Sequence, residues 1–176
     1  MQKGLVIVYT GDGKGKTSAA LGTALRALGH GMKVCLIRFI KEEKRFSGET
    51  AALQAFGNRC EIITAGSGFI MSDKLSDSTE HRDKALAGWE KARDRIISGS
   101  FDLVILDEIS HLLTLNFLST AEFAKCISEK PPELHVVLTG RGMPETITAL
   151  ADCVTEMVML RHPYTSGISN VQGIDF

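Results

Sequence analysis

VYTGDGKGKTS, residues 8–18, decides the fold. A short apolar run, Leu5 to Thr10, leads into Gly11, Gly13 and Gly15, and Lys16, Thr17 and Ser18 then open a helical pattern. Glycines let successive backbone N–H groups turn toward one space, which the positive end of the following helix also faces. An anion is the natural occupant of such a bend, and a strand before it with a helix after it is the context a phosphate-binding loop requires. Lys16 is placed to reach phosphate oxygens, and the Thr17 hydroxyl to bind a magnesium ion bridging them. Against the usual G-x-x-x-x-G-K-S/T, Thr10 stands where the first glycine belongs. The reading is an ATP triphosphate cradled by Gly11, Asp12, Gly13, Lys14, Gly15, Lys16, Thr17 and Ser18.

Outward from the loop, short apolar runs alternate with longer helical stretches, the pattern of a parallel sheet covered by helices on both faces. Strands are expected at Leu5 to Thr10, Lys33 to Phe39, Glu61 to Thr64, Leu103 to Leu106, His135 to Thr139 and Val154 to Leu160. Lys16 to Leu28 carries Ala19, Ala20, Thr23, Ala24, Ala27 and Leu28 at helical spacing. A second helix is expected from Thr79 to Ile97, with Ala85, Trp89, Ala92 and Ile96 on one face and Trp89 in the core. The stretch from Ala65 to Ser78 has no sustained period and is longer than a plain connection needs, as loops that cover a site often are. The tail from Arg161 to Phe176 is also irregular. The fold class is therefore α/β, a three-layer, mostly parallel P-loop NTPase-like sheet.

The length of 176 residues suits one domain, residues 1–176. A formal charge of -1 gives no basic excess to attract a nucleic acid backbone. Cys35, Cys60, Cys126 and Cys153 are widely spaced, with no histidine at metal-ligand spacing, and read as buried thiols in a reducing compartment. No membrane span and no signal-peptide core appear, so the expected location is the cytoplasm.

A second element, FDLVILDE, is an apolar strand ending in Asp107 and Glu108. In a P-loop sheet such a strand brings carboxylates beside the Thr17 metal site, so Asp107 or Glu108 supplies the hard oxygen ligands. TGRG, residues 139–142, follows another strand and lies on the same edge; Arg141 either holds a phosphate or ligand carboxylate, or sits on a plain turn. The five histidines are read as structural or surface residues, with His111 alone worth testing for contact with the site.

The combination YTGDGKGKTSAALGTALRALGHG, IRFIKE, VILDE, LTGRG and a carboxyl end with RHPY and GIDF resembles the P-loop ATP:corrinoid adenosyltransferases over nearly the whole chain. The resemblance implies transfer of the 5′-deoxyadenosyl group of ATP to the cobalt of a corrinoid reduced to Co(I), with release of tripolyphosphate. It implies Lys16 as the catalytic charge partner and Mg2+ or Mn2+ on Thr17 with Asp107 or Glu108. It also implies an external reductant such as a reduced flavin or flavodoxin, and a homodimer, with neither nucleic acid nor membrane as partner. Phe69 aligns with an aromatic residue that in relatives presses on the corrinoid, and Met71 stands where a second aromatic is usual.

Asp12 replaces a usual asparagine and Arg38 a frequent glutamine. Two other readings use the same residues. One is a P-loop ATPase or phosphotransferase cutting at the γ-phosphate, for which an arginine-rich lid is usual and only isolated arginines such as Arg45 and Arg141 appear. The other is a non-catalytic corrinoid or nucleotide carrier, motivated by Met71 and Asp12.

Overall fold

The computed structural model describes residues 3–39, 47–65 and 79–175. In chain order the elements are β1 (Val6–Thr10), α1 (Lys16–Gly29), β2 (Val34–Arg38), α2 (Gly48–Gln54), β3 (Cys60–Thr64), α3 (Thr79–Ile97), β4 (Leu103–Asp107), α4 (Ser110–Thr114), α5 (Thr120–Ser128), β5 (His135–Thr139), α6 (Glu145–Thr148) and β6 (Cys153–Glu156). The strands form one sheet in the order β3-β2-β4-β5-β1-β6, and every pairing is parallel.

Period-two alternation sorts the strand side chains onto two cores. Val34, Leu36, Leu103, Ile105 and Val137 pack with Ala20, Ala24, Ala27 and Leu28 of α1 on one face. Cys35, Ile37, Val104, Leu106, Val136 and Leu138 pack on the other, with Ala85, Trp89, Ala92 and Ile96 of α3 and Phe123 and Ile127 of α5. Trp89 is 1% exposed, tilts against Phe123 at 5.3 Å and donates its indole N–H to Glu122 at 3.0 Å. The small side chains of α1 let that helix lie close across β1, β5 and β4, which brings its first turn over the carboxyl edge of β4.

Several expectations need correction. The last strand was expected to run from Val154 to Leu160, but it ends at Glu156. It is an edge strand whose residues are all exposed, and at Met157 the backbone turns its hydrogen bonds to the phosphate loop instead. Cys35, Cys60 and Cys126 are buried as expected, whereas Cys153 lies exposed on that edge. The helix α5 went unread although Ser119 and Glu122 form the spacing of a capping box; Ser119 Oγ accepts the Glu122 N–H at 3.2 Å. The irregular tail contains a short 3-10 turn, Pro163–Ser166.

Candidate active site

Thr10 is still strand, paired with Glu156, and its hydroxyl accepts the Met143 N–H at 3.3 Å. The turn begins one residue later, at Gly11, whose φ of 93° and the 2.5 Å that would separate a Cβ from Met157 O both require glycine. That is why threonine is tolerated at the motif's first position. The Gly13 amide donates to Met157 O at 2.7 Å, so it faces the protein, which corrects the expectation that the successive loop amides all turn inward.

Lys16 opens α1 and is 6% exposed. Its ammonium folds back along the loop and donates to Gly11 O at 2.6 Å and Gly13 O at 2.8 Å. Burial lowers its pKa from the ordinary lysine value, against the pull of the Glu108 carboxylate and with the help of Arg141. The side chain is a partly desolvated cation that already satisfies two acceptors.

Beside it, Asp107 ends β4 almost fully buried, at 2% exposure. Its Oδ1 accepts the Thr17 hydroxyl at 2.9 Å and the Thr139 hydroxyl at 2.7 Å, and Thr139 Oγ1 accepts the Glu108 N–H at 2.9 Å. Glu108 itself adopts φ 62°, unusual for a residue with a side chain, at the point where the chain leaves the sheet. The donor chemistry of this corner fits a divalent cation, because a hydroxyl and a carboxylate oxygen stand together at the foot of the loop. Among the described residues no three His, Cys, Asp or Glu side chains converge to hold a metal by themselves. Magnesium bound through one or two carboxylates takes its remaining ligands from phosphate and water.

These residues open onto a cleft of about 790 Å³, a size ordinary for a ligand site. Gly13, Lys14, Gly15, Lys16, Thr17 and Ser18 form its floor. Glu108, His111 and Arg141 line one part of it, and Gly48 and Glu49 another. Asp12 is exposed and does not line the cleft, yet its charge favours the Lys16 ammonium. His111 Nε2 stands 3.6 Å from Glu108 Oε2, but burial, reinforced by Arg141, pushes its pKa below the usual histidine value. The imidazole is therefore neutral near pH 7 and the contact is not an ion pair. Phe69, Met71 and Arg45 lie outside the described residues.

Two contributors escaped the sequence reading. His162, taken there as a structural or surface residue, lines the cleft together with Asn170, Gly173 and Asp175 of the tail. Arg38, 4% exposed, donates from Nη1 to Thr50 Oγ1 at 2.7 Å and Ser47 Oγ at 3.2 Å, and its Nη2 is 3.4 Å from Glu49. It fixes the start of α2 so that Gly48 and Glu49 face the loop. The signal was present in S-G-E-T, residues 47–50, where Ser47 caps the helix by accepting the Thr50 N–H.

Among known structures, the chain resembles the flagellar accessory protein FlaH of Methanocaldococcus jannaschii, with a TM-score of 0.62 at 13% identity, over 89% of this chain and 72% of that one. This likeness concerns the fold alone. In sequence, the chain is 38% identical to the corrinoid adenosyltransferase of Sinorhizobium sp., over 99% of this chain and 81% of the relative. It is 35% identical to the corrinoid adenosyltransferase of Escherichia coli K12, over 99% and 87%. The family model for ATP:corrinoid adenosyltransferase BtuR/CobO/CobP matches residues 2–176. The chain with this phosphate loop and this carboxylate corner belongs to the ATP:corrinoid adenosyltransferase family.

Proposed function

We propose that residues 1–176 act as one adenosyltransferase domain that moves the 5′-deoxyadenosyl group of ATP onto the cobalt of a corrinoid reduced to Co(I). A cobalt–carbon bond forms at C5′, the C5′–O bond breaks, and its electron pair leaves on tripolyphosphate. The observation that carries this reading is the convergence of Lys16, Thr17, Glu108 and Arg141 on one cleft, with buried Asp107 holding Thr17 from behind, in a chain matched to the family from residue 2 to 176.

The nucleophile belongs to the substrate, so the protein needs no serine or cysteine of its own and works by positioning and neutralising. Gly13 to Ser18, which line the cleft, hold the triphosphate. Lys16 exchanges its two carbonyl partners for phosphate oxygens, and Arg141 adds a second positive charge where negative charge builds on the leaving group. Thr17 and Asp107, with Glu108 beside them, are the residues that would hold Mg2+ or Mn2+, and the ion would supply charge neutralisation for the leaving triphosphate. Phe69 and Met71 are assigned to the corrinoid face on the strength of the resemblance.

The same resemblance supports an external reductant, a reduced flavin or flavodoxin, for the cobalt. A homodimer is supported by the apolar side chains left on the β6 edge and beyond, where Val154, Val158 and Leu160 are 46%, 67% and 94% exposed. Among the described residues no helix is long and apolar enough to cross a membrane, and three buried free thiols suit a reducing cytoplasm.

The test is direct. Protein, ATP, magnesium and chemically reduced cobalamin are mixed and the visible spectrum followed. A light-sensitive cobalt–carbon product with stoichiometric tripolyphosphate is expected. ADP and phosphate alone would establish an ATPase, and binding of both ligands without product would establish a carrier.

A further inference from the structure

The stretch from 157 to 175 is fastened to the phosphate loop at both ends. At the near end the Met157 N–H donates to Thr10 O at 2.8 Å, and Met157 O accepts the Gly13 N–H. At the far end the Lys14 ammonium donates to Ile174 O at 3.0 Å and to the Asp175 carboxylate. Between these points the segment supplies His162, Asn170 and Gly173 to the cleft.

Asp175 divides its two carboxylate oxygens between two tasks. Oδ2 accepts the Val171 N–H at 2.7 Å, and with the Asp175 N–H on Val171 O at 2.8 Å it closes the terminal turn. Oδ1 receives Lys14. The Lys14 hydrogen bond, the Val171 amide and the nearby His162 all favour the ionised carboxylate. Apolar burial does little to hold the segment in place, because Leu160, Tyr164 and Ile174 are 94%, 80% and 69% exposed. Its placement therefore rests on these few polar fastenings, of which the Lys14 contact is the one nearest its end.

We propose that Asp175 is a positioning residue for ATP binding: acting through Lys14, it straps the 162–175 segment along the phosphate cleft as one of its walls. A bare carboxylate is a poor neighbour for a triphosphate, but paired with Lys14 it contributes no net repulsion. The proposal rests on the reading of the cleft as the ATP site.

Hydrogen exchange of the full chain and calorimetric titration with Mg-ATP test it together. Asp175→Asn keeps an acceptor for Val171 but removes the charge that holds Lys14. The variant is expected to melt as the parent does, to lose roughly tenfold protection at amides 168–175 and to bind ATP about fivefold more weakly, the scale of one exposed ion pair. Lys14→Gln is expected to loosen the same amides, the double variant to add nothing further, and Asp175→Glu to restore much of the loss. Unchanged exchange in Asp175→Asn, additive loosening in the double variant, or a loosened tail with undiminished ATP affinity would each overturn the strap. Absence of ATP binding by the parent would instead remove the reading of the cleft, and the exchange data would still report on whether Lys14 and Asp175 act together.

Discussion

The Thr17 hydroxyl donates to Asp107 Oδ1 across 2.9 Å and so joins the first turn of α1 to the end of β4. The contact spans 90 residues of sequence, and Thr139 completes it from β5 by donating to the same oxygen. One buried carboxylate thus serves three elements at once. Its charge and its acceptor capacity are separable by substitution.

Asp107→Asn keeps a carbonyl oxygen for both threonines and discards the negative charge. The variant is expected to fold with little change in melting temperature. Its kcat/KM should fall about a hundredfold, with a raised magnesium requirement, the scale of one lost electrostatic partner in a transition state. Steady-state kinetics across a magnesium series check this; a magnesium dependence identical to the parent's would take Asp107 out of the metal corner.

Lys16→Ala removes the cation that bridges Gly11 O and Gly13 O. ATP affinity and turnover are both expected to drop, turnover by about a hundredfold or more. Lys16→Arg should not restore them, because a planar guanidinium does not fit a site filled by a compact ammonium. Isothermal titration and single-turnover rates on both variants measure the two effects separately.

Gly140→Ala probes the turn that carries Arg141. The residue has φ 141°, and an added Cβ would lie 1.9 Å from Ser110 Oγ. A loss of about 3 kcal/mol in unfolding free energy is expected from backbone strain plus overlap. Adding Ser110→Gly should return only the steric share. Urea melts of the single and double variants give the two contributions.

Asp152 ties the start of β1 to the edge of the sheet: it accepts the Lys3 ammonium at 2.8 Å and the Val6 N–H at 2.9 Å. Both partners favour the carboxylate and hold its pKa below the ordinary aspartate value. A depressed folded-state pKa contributes stability that is present above the unfolded pKa, near 4, and is lost as pH falls through the folded one. Asp152→Asn is therefore expected to lower the melting temperature at pH 7, and the gap to the parent should close as the pH is taken from 7 to below about 4. Thermal melts across that range test it; a gap independent of pH would assign the effect to hydrogen bonding alone.

The sheet and the floor of the cleft were legible because their signals are local. Five of the six expected strands match to within a residue at most ends, since each is a short apolar run bounded by turn residues, and α1 follows from alanines at helical spacing. The sixth strand was overextended because Val158, Met159 and Leu160 look like strand interior by composition, while among the described residues no strand lies beyond β6 to cover them. The parts of the cleft that were missed are non-local. Nothing in RHPY marks His162 as lining the cleft, and the capping signal at 47–50 does not name Arg38 as its partner, because both placements arise only once the chain has folded back. Asp107 and Arg141 could be placed on the carboxyl edge of the sheet because the strand before each one fixes the edge on which it emerges.

Met157 steadies the phosphate loop through its peptide groups, one receiving Gly13 and the other reaching Thr10, while its thioether lies beside Gly15. The backbone half of this anchor is indifferent to which side chain occupies the position, whereas the half made by the sulfur beside Gly15 is not. Proline, lacking the N–H, would break the backbone half outright, and a scan of all twenty amino acids at 157 should show proline failing first and the rest graded by how well they pack beside Gly15.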